Sequence, residues 1–316
     1  MPIIMGLCPK PRRSAGQSPT TLPRFAPEPR FARLRLRTRA ELLFIGLALP
    51  SLVGIMIFFV IPFGYSLYLA MIDNPVGRNF VWFENFAGTF NSSAFRLAMR
   101  NTLVFMAISV PVNMVLPLVL AMLLRKLPYR EVIGLFFVLP LVVPSGSMVH
   151  FWRSVFGLNG AVNRLFFSDA PINWLDSEYA ILVILIIFMW KNAGFNVVLY
   201  QAGLNIIPRD YYESAELDGA GRSRLFWHIT LVYLLPTGFM VLIMSLLAAF
   251  RSFREIYLLA GSHPYHGIYT LMHFMNNMFA ALNYQRLAPA AHMLAAGIAV
   301  VVVAMMYVQR RVNSHD

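Results

Sequence analysis

The chain has 316 residues, of which 58% are hydrophobic and only 13% charged, and its mean hydropathy is +0.62. A water-soluble fold of this length cannot hide so much apolar surface behind so few charges, so a chain whose solvent is largely lipid is expected. The formal charge of +12 does not point to nucleic acid, because the basic residues gather outside the long apolar runs.

Residues 1–40 are rich in proline and carry Lys10, Arg12, Arg13, Arg24, Arg30, Arg33, Arg35, Arg37 and Arg39. They lack apolar periodicity and read as a basic, disordered tail. Its Cys8 is the single cysteine of the chain, which excludes a disulfide framework and a multi-cysteine metal site. The apolar run over 42–71 is too long for the core of a secretory signal and reads as a retained first span.

Five further spans, each near the roughly 20 residues needed to cross the hydrocarbon core, are expected over 101–124, 132–156, 179–203, 231–259 and 287–308. The fifth is interrupted by Arg251, Arg254 and Glu255. Prolines inside spans (Pro50, Pro62, Pro111, Pro117, Pro140 and Pro144) are tolerable where neighbouring helices or water take up the freed backbone groups. The runs show no period-two alternation, which excludes a closed β-barrel. The predicted fold class is therefore an all-α polytopic membrane protein with six transmembrane helices over 41–310 and a short end over 311–316.

Basic residues set the expected orientation. Arg125, Lys126, Arg130, Arg209, Arg222, Arg224, Arg310 and Arg311 fall on the same side as the basic tail, so both termini are expected in the cytoplasm. The opposite side holds Arg78, Arg96, Arg100 and Arg164.

Between the fourth and fifth spans lies a charged segment from Ile207-Pro208-Arg209-Asp210 through Asp218-Gly219-Ala220-Gly221. It predicts a helix, a tight turn and a second helix. Pro208 suits helix entry, Asp210 can bond the free N–H groups of the first turn, and Gly219 can end the helix in the left-handed region. Arg209 and Glu213 stand one turn apart and can pair.

This segment resembles the coupling loop of binding-protein-dependent sugar importers of the ATP-binding-cassette (ABC) class. Tyr212, Glu213, Ala215, Asp218, Gly219, Ala220, Phe226, Ile229, Thr230, Leu231 and Pro236 stand at matching positions, while Ser214 and Val232 depart from the pattern. The similarity continues through Asn85-Phe86, Asn101-Thr102, Leu139-Pro140, Pro144, Trp152, Gly160, Asn163, Trp190, Gly194, Gly203-Leu204, Ser252-Phe253, Ile256-Tyr257 and Pro264. The tail and last loop resemble the partner that groups with the larger membrane subunit of maltose transporters.

The resemblance implies a type I importer permease with a loop over about 204–236, in which Glu213, Ala215, Asp218, Gly219 and Ala220 couple to an ATP-binding subunit. It also implies a second, paralogous permease, a dimer of ATP-binding subunits, an extracytoplasmic solute-binding protein and a carbohydrate substrate, in a bacterial cell membrane. No cofactor is expected on this chain, and ATP is used by the partner. In keeping with this, the lysines are Lys10, Lys126 and Lys191, none of which follows glycine, so no Walker A phosphate loop exists. The motifs His-Glu-x-x-His and Gly-x-Ser-x-Gly are also absent.

Some residues admit two readings. Glu213 either contacts the partner subunit or is a solvated helix residue paired with Arg209. Lys191 lies near the middle of span four, where an unpaired charge is costly, and needs a water-filled cavity or a carboxylate such as Glu255. Asn192 and Asn196 either face sugar hydroxyls, with Trp190 or Phe195 supplying ring contacts, or bond between helices. Arg251 and Glu255 stand one turn apart and can neutralise each other. His263, His266 and His273 do not have the spacing of a helical zinc pair, so no metal is expected. A permease for a polyol, a glycerol phosphate or a peptide, and a stand-alone secondary carrier or intramembrane enzyme, remain as alternatives.

Overall fold

A computed structural model describes residues 44–74, 76–125 and 127–313. The basic tail, the first residues of the expected first span, Lys126 and residues 314–316 lie outside them. The chain divides into two units, one ending at Pro62 and the other beginning at Phe63. Among the described residues the structure is helical, and the strand-like feature is an isolated bridge between Ile72 and Phe80.

Among the described residues, five helical segments are long and apolar enough to cross a bilayer: Phe44–Ala70, Ser93–Leu124, Ala180–Ile206, Arg222–Ala260 and Tyr284–Tyr307. The third expected span, over 132–156, is not one continuous helix. It is the pair Val132–Val142 and Ser145–Phe166, bent by 99°. The cause is Pro144, which lacks an N–H and forces the residue before it out of the helical region. Val143 is accordingly extended, at φ −67° and ψ 125°. The helix restarts at Ser145, where a free N–H is the rule.

Spans two and five also outrun their predicted limits. Span two begins at Ser93 because Phe95 and Ala98 are buried against Leu271, Phe274 and Ala290. Span five continues through its charged residues with a break at Ser252, because Glu255 has a partner inside the protein. The connection between spans five and six contains an unpredicted helix, Leu271–Ala280, started by a reciprocal capping box between Thr270 and His273.

Spans two, four and five enclose the core. Phe105, Val110, Ile184, Ile187, Phe188 and Ala249 fill one part of it. Ala121, Val197, Tyr200, Leu204, Leu234 and Val241 fill another. Gly194 lets span four meet the broken pair backbone to backbone, since a Cβ there would lie 1.7 Å from the Phe137 carbonyl oxygen.

Several residues of the sequence pattern serve as loop staples. Asn163 is buried, donates to the Leu158 and Ile172 carbonyls at 2.9 and 2.8 Å, and accepts from Trp174 Nε1 at 2.9 Å. Asn101 donates to the carbonyls of His266 and Tyr269, and Asn85 to those of Ala70 and Ile72.

Candidate functional site

Two places carry the chemistry: a cavity among the spans, and the hairpin between spans four and five.

The cavity has a volume of about 400 Å³ and is walled by spans two, four and five and the first half of the broken pair. Lys191, Asn192, Phe195 and Asn196 reach it from span four, and Arg251, Ser252 and Glu255 from span five. Six of the seven expected pathway residues thus meet around one space. Trp190 does not. It lines a separate cavity with Phe136, Phe137, Met189 and Gly194, because its neighbour Lys191 takes the inward position. Its indole packs edge to face on Trp152, with ring centroids 5.5 Å apart.

Lys191 Nζ forms an ion pair with Glu255 Oε1. Ser145 joins both, donating to Glu255 Oε1 at 3.1 Å and lying 3.3 Å from Lys191 Nζ. The break at Pro144 is what brings the Ser145 hydroxyl to this charge pair. Arg251 does not pair with Glu255 as helical spacing suggested, because Lys191 from the facing helix occupies that carboxylate. Arg251 is exposed and lines the cavity.

Deeper in the wall lies a polar knot that links three spans. Asn196 Nδ2 donates to the Asn113 carbonyl at 2.9 Å and to Ser245 Oγ at 3.1 Å, and Asn113 Nδ2 donates to Ser245 Oγ at 3.0 Å. Asn196 is therefore spent on holding helices together, the second of its two readings. Asn192 is different: among the described residues its Nδ2 bonds only back to the Phe188 carbonyl of its own helix, at 2.9 Å, and it is partly exposed at the cavity. Asn113 and Ser145 belong to the site without having been singled out. The signal for Asn113 was an amide inside the apolar run between Pro111 and Pro117.

The hairpin consists of the helix Arg209–Leu217, a turn, the short helix Arg222–Leu225 and a π-helical turn, Phe226–Thr230. The Ala220 N–H bonds the Ala215 carbonyl at 2.9 Å and the Gly219 N–H the Glu216 carbonyl at 3.0 Å, while Gly219 sits at φ +78°. This is the helix ending that glycine favours. Tyr212 fastens the hairpin to the spans: its hydroxyl lies 2.9 Å from Thr230 Oγ1, and the Arg125 guanidinium covers its ring at 5.4 Å.

Two local expectations fail here. Arg209 and Glu213 form no ion pair among the described residues; both side chains are exposed, where such a pair gains little over separate solvation. Asp210 makes no capping bond; it lies in the first turn, where the helix dipole still favours a negative charge. Glu213, Asp218 and Gly219 are exposed, and Ala215 and Ala220 are half-buried.

Residues 86–314 match the family described as binding-protein-dependent transport system inner membrane component. The chain belongs to that family. It is 30% identical over 239 residues to the trehalose/maltose transport system permease protein MalF of Thermococcus litoralis, covering 73% of this chain and 81% of that protein. It is 28% identical over 267 residues to the probable ABC transporter permease protein YesP of Bacillus subtilis, covering 81% of this chain and 85% of that one. A chain from the crystal structure of a bacterial ABC transporter that imports the acidic polysaccharide alginate shares the fold, with a TM-score of 0.76 and 24% identity, over 88% of this chain and 99% of that chain. The family likeness, the helical fold and the five continuous spans with one bent pair agree: this is a multi-pass membrane component of a transport system.

Proposed function

We propose that this chain is the translocating subunit of an ATP-driven carbohydrate importer. The observation that carries the reading is the pairing of two features in one chain: a polar cavity between spans, and a rigid, glycine-ended hairpin projecting from two of the spans that wall it. Permeases named for trehalose/maltose, lactose and arabinooligosaccharides are among the relatives. The hairpin acts as a lever. Glu213, Ala215, Asp218, Gly219 and Ala220 present it to an ATP-binding subunit, and closure of a dimer of such subunits rocks spans four and five between two states. A second permease completes the pathway, and an extracytoplasmic binding protein delivers the solute. The chain itself has no phosphate loop and hydrolyses no ATP.

The distribution of arginine supports a cytoplasmic position for the hairpin and both termini in a bacterial cell. Reporter fusions at Asp316 and Val81 then report opposite compartments, with Asp316 inside. The function is tested by reconstituting the chain with its partner subunits in liposomes and following labelled oligosaccharide. ATP-dependent accumulation that requires the binding protein is expected. Accumulation driven by an ion gradient through this chain alone would refute the reading.

A further inference from the structure

The charge balance of the cavity narrows the substrate. Two cations and one carboxylate line it: Lys191, Arg251 and Glu255. Lys191 and Glu255 satisfy each other, with Ser145 bridging them. Arg251 has neither an ion pair nor a hydrogen bond among the described residues, although Glu255 lies only one turn away on the same span. Exposed at the cavity, the Arg251 guanidinium keeps its N–H donors free for a molecule that enters it. A neutral sugar supplies only hydroxyls. A carboxylate, sulfonate or phosphate matches the planar fork of arginine with two parallel N–H···O bonds.

The neighbours suit the remainder of such a molecule. The Asn192 amide oxygen has no bond among the described residues and can accept from a sugar hydroxyl, while the Phe195 ring offers an apolar face. The ion pair at Glu255 keeps that carboxylate from repelling an incoming anion.

We infer that the cavity takes an anionic saccharide and that Arg251 binds its acidic group. This rests on the importer reading and specifies its substrate class.

The test uses the whole importer, with the second permease, the ATP-binding subunits and the binding protein, in liposomes. The labelled probes are trigalacturonate, trimannuronate and sulfoquinovose on one side, and maltotriose and cellotriose on the other. An acidic probe is expected to accumulate in preference to the neutral ones. Arg251→Gln is expected to lower that uptake roughly tenfold or more, the scale of one charge-assisted hydrogen bond, and Arg251→Lys to restore part of it. Co-elution of the variant with the ATP-binding subunit on gel filtration shows that it has assembled. Uptake of a neutral probe alone, or of an acidic probe at an unchanged rate by an assembled Arg251→Gln importer, overturns the inference and leaves the importer reading standing. Uptake of no saccharide at all overturns both.

Discussion

Lys191 and Glu255, 64 positions apart, meet as an ion pair whose side chains are only 18% and 11% exposed. Each solves the other's problem, because neither charge is tolerable alone among apolar spans. Removing one partner should therefore hurt more than removing both. Lys191→Met or Glu255→Met alone is expected to cost on the order of 3 kcal/mol. The double variant is expected to recover much of that, because a buried pair replaced by apolar side chains is often neutral. Thermal unfolding of the detergent-solubilised protein reads the comparison. Additive losses would show that the two residues act independently.

His273, which lies outside the candidate spans, makes stability depend on pH. Its side chain is fully buried, and Nδ1 accepts from the Thr270 N–H at 3.2 Å. Burial, with a smaller contribution from the charge of His263, lowers its pKa from 6.5 to about 4. An unfolded chain therefore takes up the proton before the folded one does. Stability is fully present above about pH 6.5 and is lost as the pH falls toward about 4, by on the order of 1–3 kcal/mol. His273→Gln is expected to flatten this dependence in thermal unfolding followed between those limits. An unchanged slope would assign the dependence to other groups.

The hairpin and the charge pair were legible because each rests on local chemistry. Asp218-Gly219 can hardly be anything but a turn, and a mid-span lysine demands a carboxylate, of which span five offers Glu255. The place of Trp190 was not legible, since helical spacing gives the relative angle of residues 190 and 191 but not which of them faces the cavity. The role of Ser145 required the size of the bend at Pro144, and proline announces a break without stating its angle. The helix Leu271–Ala280 hid in a segment read as a loop, because its start depends on the reciprocal bond between Thr270 and His273. Helical spacing allowed Arg251 to pair with Glu255 as well, but Lys191, 64 positions away, takes that carboxylate.

Coupling through the hairpin can be separated from folding. Gly219 is exposed, and a side chain there meets nothing within 4 Å, so the cost of Gly219→Val is backbone strain at φ +78°. That cost is on the order of 1 kcal/mol. Glu213→Lys reverses an exposed charge. Both variants are expected at near-normal abundance in the membrane but with defective uptake, and with the ATP-binding subunit held weakly or uncoupled. Co-purification measured beside transport gives the decision. Wild-type behaviour of both variants would reduce the segment to a connector.

ATP hydrolysis by purified components tests the assignment most directly. The chain alone in liposomes is expected to hydrolyse no ATP. Activity should appear when the ATP-binding subunit and the second permease are added, and should rise when the sugar-loaded binding protein is supplied from the outside. Robust hydrolysis by this chain alone, or an assembled complex whose activity ignores the loaded binding protein, would contradict its role as the translocating subunit of an ATP-driven importer.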